Sequence, residues 1–507
     1  MGGMLARVPT FAFQGIDTVL VETQVQIAPG LPTFAVVGLP DKAVAESRER
    51  VRAALTSMGL ALPPKRILVN LAPADLGKEG SHFDLPIALG LLAAMDVIPR
   101  VQAEAYAALG ELGLDGRLAP VAGVLPAAIG AASRGLGLVC PAQQGAEAAW
   151  SGHAPILPAK SLLQLVAHFR GDTAIPGPTR STLSPTPPGP DLADVRGQET
   201  AKRALEVAAA GGHNLLLIGP PGAGKSMLAA RLPGLLPDLT PAEALEVSMI
   251  HSVAGLLRDG GLITRPPFRE PHHSASQAAL VGGGHRAKPG EISLAHRGVL
   301  FLDELPEFPR LTLEALRQPL ETGRTTVARA TAHVTYPARF QLVAAMNPCR
   351  CGHLGDPSRE CAKAPACGDE YRSRLSGPLL DRIDLFVEVL PVAPQELTRV
   401  RAGEASSTVA ARVAEARARQ RHRFGANGPR SNAEADGAVL RDTLAAASDA
   451  LSFVESAAQR LSLSARGFAR ILRVARTLAD LAGSETIRRV HVAEALAWRS
   501  HSARQAA

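Results

Sequence analysis

The sequence predicts an α/β protein whose centre is a parallel, ligand-binding sheet. Three short apolar segments, 214–218, 299–302 and 342–345, have the length and composition of buried strands, and each is followed by glycine or polar residues. The carboxyl ends of parallel strands lie at one edge of a sheet, where ligands bind. Beyond the third strand the pattern becomes helical, so we expect a helical C-terminal lid.

A proline-rich stretch divides the chain. A length of 507 residues suits three to four domains of roughly 150 residues each. Residues 171–190 contain six prolines separated mostly by small polar residues, a composition typical of an extended linker. We therefore predict a first domain at 1–170, where strand and helix patterns mix as in an α+β fold. The sheet domain is expected at 191–392 and the lid at 393–507.

The composition is that of an ordinary globular chain, with 46% hydrophobic and 20% charged residues. The longest apolar run, 85–98, is interrupted by Asp96 and falls short of the roughly 20 residues that a membrane-spanning helix needs. The first residues show no basic segment followed by an apolar one. We therefore expect no secretory signal, no membrane partner and a cytoplasmic location.

The net charge of +7 is concentrated at the C-terminal end, where arginines outnumber acidic residues. A basic region suits a polyanionic partner such as DNA. Arginine is abundant and lysine scarce along the whole chain, so genomic composition is an alternative explanation for part of this excess.

The first of the three strands runs into a phosphate-binding loop. The motif requires glycines, so that backbone N–H groups can surround a phosphate, and a lysine followed by a hydroxyl that reaches Mg²⁺. A helical pattern follows, as the motif demands. We therefore predict that ATP and Mg²⁺ bind here. The residues of this loop are Gly219, Pro220, Pro221, Gly222, Ala223, Gly224, Lys225 and Ser226.

The other two strands end in polar residues that suit ATP hydrolysis. Asp303 and Glu304 follow the second strand, and we expect Asp303 to hold the Mg²⁺ shell and Glu304 to polarise the attacking water. Asn347 follows the third strand and can contact the γ-phosphate or its water; a turn-forming role before Pro348 is the alternative. A lysine, an acid pair and an asparagine in this order indicate an ATPase of the AAA+ class.

Two arginines are candidates for completing the catalytic site. Arg382 follows the third strand closely, as an arginine contributed in trans to a neighbour's γ-phosphate would, and it implies a ring of subunits. The alternative is an ion pair within the chain, with Asp381 or Asp384. Arg466 begins a predicted helix capped by Ser464 and is the candidate for a lid arginine at the same nucleotide, with a surface role as the alternative.

Longer motifs give a resemblance to a known family. They are 194–198, 209–214, 280–284, 289–296 and 376–384, together with Pro271-His272-His273. Residues 191–390 resemble the magnesium-chelatase-like AAA+ family, and the whole chain is similar to its ComM/YifB members.

The resemblance implies a hexameric ring ATPase that acts on single-stranded or branched DNA, as a helicase or branch-migration motor in recombination during natural transformation. A chelatase-like subunit that remodels a protein partner is an alternative.

Candidate DNA contacts lie in two insertions of the sheet domain. Residues 325–336 alternate as a β-hairpin would, and a Gly- and His-rich stretch precedes Asp303. Insertions near these places line the central pore of related ATPases, so the resemblance makes Arg324, Arg329, His272 and His273 candidates. Solvated polar faces of a hairpin and a loop are the alternative for each residue.

Four clustered cysteines could hold a metal. They are Cys349, Cys351, Cys361 and Cys367. Structural zinc favours four soft ligands on a tight loop, whereas buried thiols are the alternative and the C-x-C opening is less typical than C-x₂-C.

The first domain resembles the Lon-protease-like domain that accompanies this family. The resemblance lies at 38–41, 48–55 and 78–84. His82 stands where such proteases carry the catalytic serine. Ser81 has no evident base, and we expect Lys78 to be exposed to water in a glycine-containing turn. The domain is therefore predicted to be a non-proteolytic scaffold, with an ATP-dependent protease as the alternative.

Overall fold

A computed structural model describes residues 4–152, 155–179, 189–257, 260–284, 287–328, 333–354, 361, 363–392 and 403–503. It confirms the predicted mixed α/β class, with a parallel sheet and surrounding helices. None of the helices in these ranges is both long and apolar enough to cross a membrane.

The N-terminal part contains two main sheets. Its strands are β1 (Met4–Gln14), β2 (Asp17–Ala28), β3 (Thr33–Val37), β4 (Arg66–Ala72), β5 (Tyr106–Ala108), β6 (Glu111–Leu112), β7 (Leu118–Ala119), β8 (Gly137–Pro141) and β9 (Ile156–Ala159). Its helices are α1 (Lys42–Ser57), α2 (Asp84–Ala94), α3 (Arg100–Glu104), α4 (Val124–Ala132), α5 (Gly145–Ala148) and α6 (Leu162–Arg170). The first sheet has the order β1-β2-β4-β3, and the second is parallel with the order β5-β8-β9.

Helix α2 forms the centre of the N-terminal core. Every one of its residues is buried, because it packs against β1, β2 and α1. Its one acidic residue, Asp84, accepts two hydrogen bonds from Arg50 of α1, at 2.6 and 2.9 Å. The segment predicted as linker contributes to this core as well, since Ile175 is buried against it.

The central part contains the predicted parallel sheet. Its strands are β10 (Leu215–Ile218), β11 (Phe268–Arg269), β12 (Gly282–Gly283), β13 (Lys288–Pro289), β14 (Val299–Leu302), β15 (Arg324–Ala328), β16 (His333–Pro337), β17 (Gln341–Met346) and β18 (Leu385–Glu388). Its helices are α7 (Glu199–Gly211), α8 (Lys225–Ala229), α9 (Pro241–Ala254), α10 (Gln277–Val281), α11 (Glu291–Leu294), α12 (Arg310–Glu314), α13 (Arg317–Thr322), α14 (Ala366–Arg372) and α15 (Gly377–Leu380). The sheet order is β11-β14-β17-β10-β18, with all pairs parallel.

Strand β10 lies between β17 and β18, and its side chains alternate between two cores. Leu215 and Leu217 face a core shared with the C-terminal helices, while Leu216 faces a core on the other side of the sheet. The predicted hairpin is present as the antiparallel pair β15–β16.

The C-terminal part is helical in the ranges described, as predicted. Its helices are α16 (Ser406–Phe424), α17 (Gly437–Thr443), α18 (Ser448–Arg460), α19 (Ala465–Leu481) and α20 (Arg489–Ala503). The short 3₁₀ turns within the described ranges are Ser81–Phe83, Ala142–Gln144, Ala149–Ser151, Leu192–Asp194, Leu232–Leu235, Leu305–Glu307 and Asn432–Glu434.

A buried carboxylate organises the C-terminal helices. Asp480 of α19 is fully buried and accepts hydrogen bonds from Arg423 of α16, from Asn432 at 2.9 Å and from Arg476 at 3.0 Å. A buried charge is tolerated only when it is paired in this way. Part of the basic excess in this region is therefore used inside the fold.

Replacing Asp480 with alanine should lower the free energy of unfolding by about 3–5 kcal/mol, because it leaves buried arginines without their carboxylate. Urea unfolding of the full chain measures this change. The control is Asp442→Ala, an exposed aspartate of α17, which should shift the same value by no more than about 0.5 kcal/mol. Equal effects of both substitutions would contradict the structural role of Asp480.

Candidate active site

The loop 219–226 connects β10 to α8 with a backbone that requires glycine. A Cβ atom on Gly219 would lie 2.1 Å from the carbonyl oxygen of Val389. Gly222 and Gly224 have φ angles of +77° and +90°, which side chains disfavour. Because α8 begins at Lys225, the loop leads into a helix N-terminus, an arrangement that suits phosphate.

Lys225 lies at the centre of this loop. Its Nζ atom donates hydrogen bonds to the carbonyl oxygens of Gly219 and Pro220, at 2.8 and 2.9 Å, and to Oδ1 of Asn347 at 3.0 Å. Burial lowers the pKa of Lys225, while the charges of Asp303 and Glu304 oppose that shift. The structure therefore brings the predicted lysine, asparagine and acid pair together at one edge of the sheet.

The predicted Mg²⁺ ligands are already in contact with each other. Ser226 Oγ donates a 2.6 Å hydrogen bond to Oδ2 of Asp303, and the backbone N–H of Glu304 donates to Oδ1 of Asp303 at 2.8 Å. A hydroxyl and a carboxylate are hard oxygen donors of the kind that Mg²⁺ prefers. The residues present thus fit a Mg²⁺ ion bound together with nucleotide phosphates.

Glu304 has an unusual backbone and an unexpected partner. Its φ angle of 52° is in the left-handed region, and its side chain is half exposed. His273 places Nδ1 3.2 Å from Oε2 of Glu304, and the ring of His272 lies 4.1 Å from that of His273. Sequence reasoning singled out both histidines but assigned them only to DNA. Both histidines lie in the loop after β11. Because β11 pairs with β14, and Glu304 follows β14, this loop brings His273 to Glu304.

Arg382 and Arg466 lie at the opposite edge of the sheet from Lys225. The carbonyl oxygen of Arg382 accepts a 2.9 Å hydrogen bond from the side chain of Asn214, which directly precedes β10. Gly219 is five residue steps along the extended chain from Asn214, or about 16 Å. The length of this strand therefore keeps both arginines away from the nucleotide loop of their own chain.

The two arginines line one cleft of about 1130 Å³ between the sheet and the C-terminal helices. Arg382 is buried, and it donates hydrogen bonds to Glu321 and to the carbonyl oxygen of Pro378. The intrachain ion pair considered for Arg382 thus exists, but its partner is Glu321 instead of Asp381 or Asp384. Burial lowers the pKa of Arg382, and the nearby charge of Arg466 adds to that effect.

The candidate DNA contacts are distributed over two surfaces. Arg324 is exposed on β15, and His272 is exposed in the loop after β11. Arg329 lies outside the described residues. The hairpin is held by the N-terminal part, because Gly15 approaches the backbone of Thr335 and Ile16 packs against the same small core as Val334. DNA binding by these residues stays a prediction.

The four clustered cysteines come together in the region that follows Asn347. Cys349 is fully buried and Cys367 nearly so, and the sulfurs of Cys349, Cys361 and Cys367 are close enough together to hold one metal ion, while Cys351 is exposed. Cys140 belongs to the N-terminal core.

The protease-like pair is not formed in the N-terminal part. Ser81 donates its hydroxyl hydrogen bond to Glu111, and Lys78 donates to the carbonyl oxygen of Pro73. Our expectation that Lys78 is exposed to water was wrong, because its side chain is fully buried, while its backbone pairs with Leu39 and Asp41 between β3 and α1. Burial lowers the pKa of Lys78. His82 is buried and contacts the carbonyl oxygen of Phe11 at 2.9 Å.

The sheet order and the loop geometry define a P-loop protein with an AAA+ fold. Three family models match the chain: magnesium chelatase, subunit ChlI, at 191–397; subunit ChlI of Mg-chelatase at 23–144; and the ChlI C-terminal region at 403–499.

Relatives that match over nearly their whole length identify the family more closely. The chain is 45% identical to competence protein ComM of Haemophilus influenzae and 44% identical to the uncharacterised protein YifB of Escherichia coli, in both cases over 98% of this chain and 97% of the relative. It is 48% identical to an uncharacterised protein of Mycobacterium tuberculosis, over 99% of this chain and all of that protein. The chain therefore belongs to the ComM/YifB family of magnesium-chelatase-like AAA+ proteins, a family that uses nucleotide and Mg²⁺.

Substituting Gln for Glu304 should leave ATP binding intact and lower hydrolysis by about 10²–10⁴-fold, because the amide cannot polarise the attacking water. Nucleotide affinity and phosphate release are measured on the same preparation. Glu104→Gln, at an exposed glutamate of α3, is the control and should hydrolyse ATP at the original rate. Hydrolysis retained in the Glu304→Gln protein would refute the catalytic assignment.

Proposed function

We propose that the protein is an ATP-driven DNA motor that works as a hexameric ring and promotes branch migration in recombination during natural transformation. Its cofactors are ATP and Mg²⁺, and the four-cysteine cluster adds a site for structural Zn²⁺. The observation that carries the proposal is the separation of Lys225 from Arg382 and Arg466, which lie at opposite edges of one sheet.

This separation favours an ATP site shared between subunits. Transfer of the γ-phosphoryl group develops charge that an arginine stabilises, and such an arginine raises turnover by about 10³–10⁵-fold. The chain's own Arg382 is held at the far edge by Asn214, away from its own nucleotide loop, and to reach a neighbour's nucleotide it would exchange its ion pair with Glu321 for the γ-phosphate. Head-to-tail contacts of this kind close into a ring when the rotation between subunits allows it.

The DNA part of the proposal is supported by surface charge and by the relatives. Arg324 lies exposed on a hairpin, and His273 links the neighbouring loop directly to Glu304. A DNA strand that contacts this loop would therefore act on the residue that we assign to hydrolysis. The name of the Haemophilus relative, a competence protein, agrees with a role in transformation.

The central test is the ATPase rate with and without single-stranded, duplex and branched DNA. We expect stimulation, strongest with branched or single-stranded DNA, and a smaller stimulation in Arg324→Ala because a phosphate contact is lost. Arg52→Ala, at an exposed arginine of the N-terminal α1, is the control and should respond as the original protein does. Absence of stimulation by any DNA would favour the chelatase-like alternative, in which ATP hydrolysis remodels a protein partner.

Mixing two inactive variants tests the shared site. Arg382→Ala subunits keep an intact nucleotide loop, and Lys225→Ala subunits keep an intact arginine. Their mixture should regain part of the ATPase activity, because some interfaces then combine the two intact halves. Steady-state hydrolysis and the assembly state are measured for each variant and for the mixture. A mixture that assembles normally but hydrolyses no ATP would argue against a contribution in trans.

A further inference from the structure

Four cysteine sulfurs lie close to one another beside the nucleotide loop. The sulfurs of Cys349 and Cys351 are 3.2 Å apart, and those of Cys349, Cys361 and Cys367 all lie within 4.8 Å of one another. Cys351 also interacts with Cys361. A zinc ion about 2.3 Å from each of four thiolates holds the sulfurs about 3.8 Å apart. Cys349, Cys361 and Cys367 are therefore spaced like three ligands of a tetrahedral zinc site, and the exposed Cys351, next to Cys349, is the candidate for the fourth.

The backbone around the cluster supports charged sulfur ligands. The backbone N–H groups of Gly352, His353 and Leu354 lie near the sulfur of Cys349, and the N–H of Gly352 donates to the carbonyl oxygen of Cys349 at 3.0 Å. Thiolates that bind a metal carry negative charge, and donors in the surrounding shell stabilise that charge and fix the orientation of the ligands. A tight turn at Gly352, with a φ of +82°, returns the backbone toward Cys349.

The same turn forms a wall of the nucleotide loop. A Cβ atom on Gly352 would lie 2.5 Å from Cδ of Pro221, so the backbone of this turn packs directly on the loop. Asn347, whose side chain holds Lys225, is two residues before Cys349. The cluster is thus connected to the nucleotide loop in two ways, by the contact of the Gly352 turn with Pro221 and by the short segment from Asn347 to Cys349.

A third path leads from the cluster to the acid pair. Helix α14 carries Cys367 and, one turn later, the nearly buried Tyr371, which hydrogen-bonds Glu307. Glu307 belongs to the 3₁₀ turn that directly follows Glu304, and Arg374 donates to it at 3.0 Å. The cluster therefore lies behind both the phosphate loop and the segment that positions Glu304.

We propose that Cys349, Cys351, Cys361 and Cys367 bind one zinc ion, and that this zinc controls nucleotide binding by fixing the Gly352 turn against Pro221. The second half rests on the proposed ATP site. Without the metal, four sulfurs in a small space have no common partner, so the turn and α14 lose their anchor. The affinity for ATP then falls. This effect is indirect, because none of the four cysteines contacts Lys225 in the described structure.

Metal content tests the first half without any reference to ATP. Elemental analysis of protein purified under reducing conditions should find one zinc ion per chain, and replacement by Co²⁺ should give a cobalt–thiolate absorption. Cys367→Ser should lose both signals, while Cys140→Ser, at a cysteine of the N-terminal core, should keep them. Absence of zinc and of the cobalt signal from the original protein would overturn the assignment.

Nucleotide affinity tests the second half. Zinc is removed with a chelator under reducing conditions, and Mg²⁺ is then added in excess. The zinc-free protein should bind a fluorescent ATP analogue more weakly, by about tenfold or more, and added zinc should restore the affinity. Gly352→Ala should keep the zinc but weaken ATP binding similarly, because its Cβ displaces Pro221. The matched control is Gly59→Ala, at a φ of +76° with no atom within 4 Å, which should change neither reading.

The outcomes separate the two proposals. Zinc-free protein and Gly352→Ala protein that bind the analogue as tightly as the original would overturn control by the metal. A zinc-loaded original protein that binds no analogue at all would overturn the proposed ATP site, while its zinc content would still support the metal site.

Discussion

The parallel pairing of β10 with β17 and β18 is the constraint on which the rest of the molecule depends. Backbone hydrogen bonds fix the three strands in one register, so their carboxyl ends meet at a single edge. That edge holds Lys225 and Asn347 in contact. The opposite edge holds Asn214 and Arg382, and the length of the strand keeps the two sets apart. The roles that we propose for these residues in a ring of subunits rest on this one geometric fact.

Asp384 connects this sheet to the lid. Burial would raise the pKa of its carboxyl group, but His213, Arg470 and the backbone N–H of Asn214 outweigh that effect and keep the pKa below its usual range. Because Arg470 belongs to α19, the charged aspartate fixes the lid to the edge that carries Arg382. A movement of the lid would therefore move the arginine cleft together with the sheet edge, as our proposal of an ATP site shared between subunits requires.

Helix α9 connects the N-terminal part to the same machinery. Ser252 near its end donates a 2.6 Å hydrogen bond to Glu147, a buried carboxylate whose pKa burial raises. Earlier in the helix, Glu246 contacts His296 at 2.9 Å, just before β14 and its acid pair. The buried Lys78 donates to the carbonyl oxygen of Pro73 and Ser81 donates to Glu111, so the two do not pair, and a scaffold role for this region stays a prediction.

The sequence by itself determined the strand-and-loop chemistry: the glycines before Lys225, the acid pair after β14 and Asn347 after β17. These are local patterns, and parallel pairing brings the ends of such strands together without further information. Only the tertiary structure decided that Arg382 and Arg466 share a cleft at the other edge, that His273 meets Glu304, and that the Gly352 turn packs on Pro221. Those contacts join segments that are distant in sequence, or they depend on the edge of the sheet to which a loop returns. The burial of Lys78 likewise results from packing that no local sequence pattern specifies.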